Sequence, residues 1–122
     1  MSKNKKILII EDEKPMAKAL ELKLTHAGFD AVAVFNGEDG MNMIEKEAFA
    51  LILLDLVMPK MDGFATLASL KDKKIETPVM VLTNLSQEDD EKRAKDLGAK
   101  EFFIKSNTPI ATIVEKVKQF LK

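Results

Sequence analysis

With 122 residues the chain has the size of one domain and enough length to bury a real core. It is 46% hydrophobic and 32% charged, a globular rather than a disordered balance, and 19 Lys and Arg against 20 Asp and Glu leave a net charge of -1. That near-neutrality argues against a general nucleic-acid or anionic-membrane binder, and the absence of cysteine excludes disulfides, thiolate nucleophiles and cysteine metal sites.

Met1-Ser2-Lys3-Asn4-Lys5-Lys6 is basic, but the Ile7–Ile10 run after it is too short for a signal peptide and acids follow at once. No apolar run approaches the roughly 18 residues of a membrane span. A soluble cytoplasmic location is the expectation. Ile7-Leu8-Ile9-Ile10 reads as a first strand ending at Glu11-Asp12-Glu13. Pro15 marks a first helical position, Leu20, Leu24 and Ala27 recur at helical spacing, and Gly28 is a C-terminal stop. Ala31–Phe35 is a second strand, closed by Asn36-Gly37. A helix from about Glu38 to Lys46 follows, with Met41 and Ile44 on its apolar side.

Leu51-Ile52-Leu53-Leu54 is apolar without alternation, as suits a strand covered on both faces of a parallel sheet. It ends at Asp55, and Met58-Pro59 and Asp62-Gly63 then mark a turn. Asp55 either lies in a site at the strand end or simply starts the loop, and this stretch alone favours neither reading. A helix from about Phe64 to Lys71 turns Phe64, Leu67 and Leu70 inward. Pro78–Thr83 is the fourth strand, with Pro78 at its edge position. Ser86 is placed to cap a helix reaching about Leu97, with Asp89 at its third position and Gly98 after its end. Glu101–Ile104 is a short fifth strand ending at Lys105. Thr108-Pro109 opens the last helix as cap and first position, with Ile110, Ile113, Val114, Val117 and Leu121 as its buried stripe.

Five β-α units without repeats or linkers predict one α/β domain over residues 1–122. The expected fold is a doubly wound, five-stranded parallel sheet of the flavodoxin-like (βα)5 type, strand order 2-1-3-4-5. Its strand ends share one rim, so Glu11, Asp12 and Asp55 converge, with Thr83 and Lys105 beside them. Two like charges 4 Å apart repel by about 4 kcal/mol at an effective dielectric near 20. Such a cluster needs a cation, a proton or a lysine, and oxygen-only ligands with room for water suit Mg²⁺.

These residues carry a family resemblance over essentially the whole chain. The acidic pair Glu11-Asp12, Asp55 followed by Met58-Pro59 and Met61-Asp62-Gly63, then Thr83 and Lys105, resemble the receiver domain of bacterial two-component response regulators, of the single-domain type used in chemotaxis. The resemblance implies phosphorelay signalling. Asp55 would take a phosphoryl group from a sensor histidine kinase or phosphotransfer protein, and a downstream effector protein would read the result. It further implies Mg²⁺, or Mn²⁺ in its stead, on Asp12, Asp55 and the Val57 carbonyl, with Glu11 acting through a water. Thr83 and Lys105 would contact phosphoryl oxygens, and Phe102 would be the switch aromatic. Catalysis would extend only to the chain's own phosphorylation and dephosphorylation, with no direct nucleic-acid contact and no membrane insertion.

The sequence departs from the family pattern at four places. Glu11 stands where aspartate is commoner, Ser106 replaces the usual cis proline after Lys105, Phe102 lacks a tyrosine hydroxyl, and Asn84 follows Thr83 where a small residue is preferred. A trans Lys105-Ser106 bond is expected, because a non-proline cis bond costs about 2.5–4 kcal/mol. Val57 and Leu85, at positions flanking the path of the hydrolytic water in this family, are apolar, which implies a slowly hydrolysed phosphoryl group. A competing reading is a pseudo-receiver that binds proteins without phosphorylation; retention of the acidic, hydroxyl and lysine positions favours the first. A flavin carrier of the same fold is excluded by the acidic, glycine-free Glu11–Pro15 loop. His26 reads as solvated or capping, Met41, Met43, Met58, Met61 and Met80 as core filler, and Glu88–Arg93 as a solvated helix face whose charges suit the dipole.

Overall fold

The computed structural model describes residues 4–85 and 87–122. In chain order they form β1 (Lys6–Ile10), α1 (Lys14–His26), β2 (Asp30–Val34), α2 (Gly37–Lys46), β3 (Leu51–Leu54), α3 (Gly63–Asp72), β4 (Val79–Thr83), α4 (Glu88–Asp96), β5 (Glu101–Ile104) and α5 (Ile110–Phe120), with a 3-10 turn at Lys105–Asn107 before α5. All strand pairs are parallel and the order is β2-β1-β3-β4-β5. This is the flavodoxin-like arrangement expected from the alternation of elements.

Side chains alternate across a strand, so each central strand feeds two cores. Leu8, Ile10, Ile52, Leu54 and Val81 point to one face, where Met41, Phe64, Leu67, Leu70 and Ala94 from α2, α3 and α4 cover them. Ile7, Ile9, Leu51, Leu53, Met80 and Leu82 point to the other, against Leu20 and Leu24 of α1 and Ile113, Val114 and Val117 of α5. That double burial explains why these runs lack polar alternation. Phe102 and Phe103 split between the faces: Phe103 is buried on the α1/α5 side, and Phe102 is half-buried on the other.

The structure moves several boundaries. Lys14 begins α1, so Pro15 is second rather than first; its missing N–H still falls among the unpaired donors of the first turn. Phe35 lies beyond β2, and Pro78 precedes β4, where its carbonyl accepts from the Ile52 amide at 2.9 Å. Pro109 is the N-cap of α5 rather than its first residue, with extended backbone. Gln87 occupies the N-cap of α4, so Asp89 is second, and the expected Ser86 cap lies outside the described residues. Ile110 and Leu121 are only partly buried beside the α5 stripe. Asn36-Gly37 and Asp62-Gly63 are helix starts: Asn36 accepts from the Asp39 amide and Asp62 from the Ala65 amide, each at 2.8 Å.

Three helices end in one motif. After α1, the Gly28 amide donates to the Thr25 carbonyl and Phe29 to Leu24; after α4, Gly98 donates to Lys95 and Ala99 to Ala94. After α3 the same pair of bonds joins Lys74 to Lys71 and Ile75 to Leu70. The residue after the cap is left-handed in all three, with φ +97° at Gly28, +109° at Gly98 and +56° at Lys74. Lys74 is exposed and alone carries a Cβ there. Lys74→Gly is expected to raise stability by about 1 kcal/mol, read as a higher urea midpoint. A midpoint at or below wild type would contradict the strain assigned to Lys74.

Candidate functional site

The register of the sheet brings the charges together. Ile10 pairs with Leu54, so the residues after them, Glu11 and Asp55, are neighbours on the rim. The Asp55 amide donates to the Ile10 carbonyl, and the Glu11 amide to that of Val34, both at 3.0 Å. Thr83 ends β4 opposite Ile104, which places Lys105 one residue beyond it. Glu11, Asp55 and Thr83 are buried, with exposures of 2%, 4% and 0%. Carboxylate oxygens of Glu11, Asp12 and Asp55 lie within 4.8 Å of one another.

Lys105 enters this cluster from the first position after β5, in the 3-10 turn, with its side chain 8% exposed. Its Nζ donates to Asp55 Oδ2 at 2.9 Å and to Glu13 Oε1 at 2.6 Å. Glu11 Oε1 is also 2.6 Å from Nζ but off hydrogen-bond alignment, so this oxygen is in ion contact while its hydrogen-bonding capacity stays unused. Asp55 Oδ1 accepts from the Val57 amide and Thr83 Oγ1 from the Leu85 amide, each at 3.3 Å. The cluster opens through a cleft of about 300 Å³ rimmed by Val57, Asn84 and Leu85. A larger groove of about 540 Å³ between α3 and α4 mixes Lys92 and Arg93 with Asp62, Asp89 and Asp96. Convergent buried charge, rather than volume, marks the functional candidate.

Among the described residues, four carboxylates (Glu11, Asp12, Glu13 and Asp55) face a single ammonium here. Burial pushes the Glu11 carboxyl up to about 7 despite the opposing pull of Lys105. Burial would lower the pKa of Lys105, but contacts with Glu11, Glu13 and Asp55 outweigh it and hold the ammonium above the usual lysine range. The site is therefore short of positive charge. An all-oxygen donor set with an open side and an unsatisfied buried oxygen at Glu11 fits a hard divalent cation.

Sequence reasoning named all of these side chains except Glu13 as a partner of Lys105. Phe102 lies apart from the charged cluster, half-buried among the residues under α2, α3 and α4. Among the described residues there are no cis peptide bonds, and Lys105-Ser106 is trans as expected.

A family model described as the response regulator receiver domain matches residues 7–118. The chain belongs to the response regulator receiver family. This receiver domain is 32% identical over 119 residues to the alkaline phosphatase synthesis transcriptional regulatory protein PhoP of Bacillus subtilis, an alignment covering 98% of the chain and 49% of that protein. It is 35% identical over 100 residues to the transcriptional regulatory protein DltR of Streptococcus agalactiae, covering 82% of the chain and 45% of the relative. The chain thus spans about half the length of the curated relatives it matches. Among solved structures, the receiver domain of Francisella response regulator 1452 superposes with a TM-score of 0.91 at 25% identity, covering 97% of each chain. The receiver domain of a signal transduction histidine kinase from Syntrophus aciditrophicus gives 0.84 at 32% identity, covering 95% of this chain and 89% of that one. A receiver domain serves two-component phosphorelay signalling.

Proposed function

We propose that Asp55 is the phosphoacceptor in a Mg²⁺-dependent transfer from a phosphohistidine on a sensor histidine kinase or phosphotransfer protein. What supports this is the buried Asp55 carboxylate beside Glu11 and Asp12, with Lys105 Nζ 2.9 Å from its Oδ2. A carboxylate oxygen attacks phosphorus with no proton to remove. The new O–P bond forms as the donor's P–N bond breaks, and the departing imidazole nitrogen keeps the electron pair and takes up a proton. Asp12, Asp55 and the Val57 carbonyl would hold the ion, with Glu11 reaching it through water. When bound, Mg²⁺, or Mn²⁺ in its place, supplies neutralisation and orientation of the phosphoryl oxygens.

Lys105 and the Thr83 hydroxyl then each contact a phosphoryl oxygen. The group adds roughly -1.5 to -2 charge, enough to draw both side chains towards it. Movement of Thr83 frees space for the Phe102 ring to turn inward, which changes the α4-β5-α5 face read by a downstream effector protein. Catalysis is confined to the chain's own phosphorylation and dephosphorylation, so it is not an enzyme acting on other substrates. No described helix is long and apolar enough to cross a membrane. As a partner of a kinase's phosphohistidine the chain acts in the cytoplasm, without direct nucleic-acid contact.

The test is Mg²⁺-dependent response to beryllofluoride or labelling by a small phosphodonor. Wild type responds, and Asp55→Asn and chelator-treated wild type do not. An unresponsive wild type overturns the phosphoacceptor reading in favour of a phosphorylation-independent interaction module. Val57, 57% exposed at the cleft, and Leu85 offer no polar group to orient a hydrolytic water. Val57→Asn with Leu85→Glu is expected to shorten the lifetime of the phosphorylated form, measured by dephosphorylation kinetics. An unchanged rate refutes that role.

A further inference from the structure

Glu13 differs from the other acids around Lys105. Its side chain is 57% exposed, and it lies outside the Glu11, Asp12 and Asp55 group that can share one cation. Yet its Oε1 holds Nζ at 2.6 Å, closer than Asp55 Oδ2 at 2.9 Å. Glu13 also occupies the N-cap of α1, and its side chain makes no capping bond there. It is turned instead to Lys105, with its backbone anchored by donation from its amide to Glu11 Oε2 at 3.0 Å.

An ammonium has three N–H donors, and Lys105 has three carboxylate neighbours. Nζ hydrogen-bonds Asp55 Oδ2 and Glu13 Oε1 and is in ion contact with Glu11, so an oxygen of a group arriving on Asp55 competes with these three carboxylates for the one ammonium. Releasing Glu11, at 2% exposure, would strand a buried charge, and Asp55 is where the group arrives. The Glu13 carboxylate stands at the mouth and can return to water. We propose that Glu13 is a positioning residue that occupies Lys105 in the resting receiver and is displaced from it by the incoming phosphoryl oxygen. This rests on the phosphoacceptor reading of Asp55. Glu13 thus sets how readily the site accepts a phosphoryl group, without touching that group.

Glu13→Gln keeps the size of the side chain and removes the competing charge. With saturating Mg²⁺ it is expected to bind beryllofluoride about two- to fivefold more tightly than wild type, the range an exposed ion pair supports. The gain should vanish in a Lys105→Met background, whereas a general effect of removing negative charge would persist there. In metal-free protein, acylation of Lys105 by an amine reagent, scored against Lys92, should quicken in Glu13→Gln. Unchanged or weaker beryllofluoride binding, a gain that survives Lys105→Met, or unchanged Lys105 acylation each overturns the proposal while leaving the phosphoacceptor reading standing. A wild type that binds no beryllofluoride brings down both.

Discussion

Lys105→Met is expected to cost the metal-free receiver about 3 kcal/mol of stability near neutral pH, the lower end of what removing one partner of a buried ion pair costs. Methionine keeps the apolar stem, so the loss reports the charge. Lys105 Nζ touches Glu11, Glu13 and Asp55, and two of these acids are buried at 2% and 4% exposure. Without the ammonium, like charges less than 5 Å apart repel by roughly 3–4 kcal/mol per pair at an effective dielectric near 20. Proton uptake by Glu11 relieves part of this, which keeps the expected cost at the lower end. Urea denaturation with chelator present measures the loss, and adding Asp55→Asn in the same background should return much of it. A loss below about 1 kcal/mol would mean that the cluster is not held by Lys105.

The same cluster sets the sign of the pH response. Glu11 titrates near 7 in the folded protein, pushed up by burial, against an ordinary value of 4.5. Between these values the folded chain keeps a proton that the unfolded chain has lost. The contribution to stability is complete below about pH 4.5 and is lost as pH rises through 7. In Lys105→Met the opposing pull on Glu11 is gone, so the decline should extend to higher pH. Both curves belong to metal-free protein, because a divalent cation competes for the same carboxylates.

The central strands were legible because both of their faces are buried. Ile7–Ile10 and Leu51–Leu54 have no polar position, as suits parallel strands covered on both faces. The rim site followed from them, since parallel register turns three strand-ending residues into neighbours. Helix starts were harder. Asn36-Gly37 and Asp62-Gly63 carry turn signals, but the Asn36 and Asp62 side chains are helix caps, a role those residue types fill as readily. Glu13 was visible as a third acid after β1, yet its contact with Lys105 spans 92 positions and depends on side-chain direction. Local sequence carries no record of which of three adjacent carboxylates an incoming lysine will choose.

Gly63 shows the same limit more sharply, and Gly63→Ala is expected to cost about 2–3 kcal/mol and to weaken the site as well as the fold. Its φ is not left-handed, so backbone freedom is not the reason for glycine. The reason is space. A Cβ at Gly63 would lie 2.3 Å from the Asp55 carbonyl oxygen, 2.6 Å from Leu56 Cα and 2.9 Å from Leu56 Cδ2. Two of these atoms are backbone and cannot rotate away, and the Gly63 amide already ties the helix start to the Leu56 carbonyl at 2.9 Å. Relief requires the first turn of α3 to retreat or Asp55 to shift within a cluster whose contacts are a few ångströms long. Gly40→Ala is the matched control, because the three nearest atoms to its Cβ would all belong to the Ile10 side chain, starting with Cδ1 at 2.5 Å, rather than to backbone. Urea denaturation should rank Gly63→Ala below Gly40→Ala, and beryllofluoride affinity should fall chiefly in Gly63→Ala. Equal losses of stability with affinity unchanged in both would show that Asp55 does not depend on the close approach of Gly63.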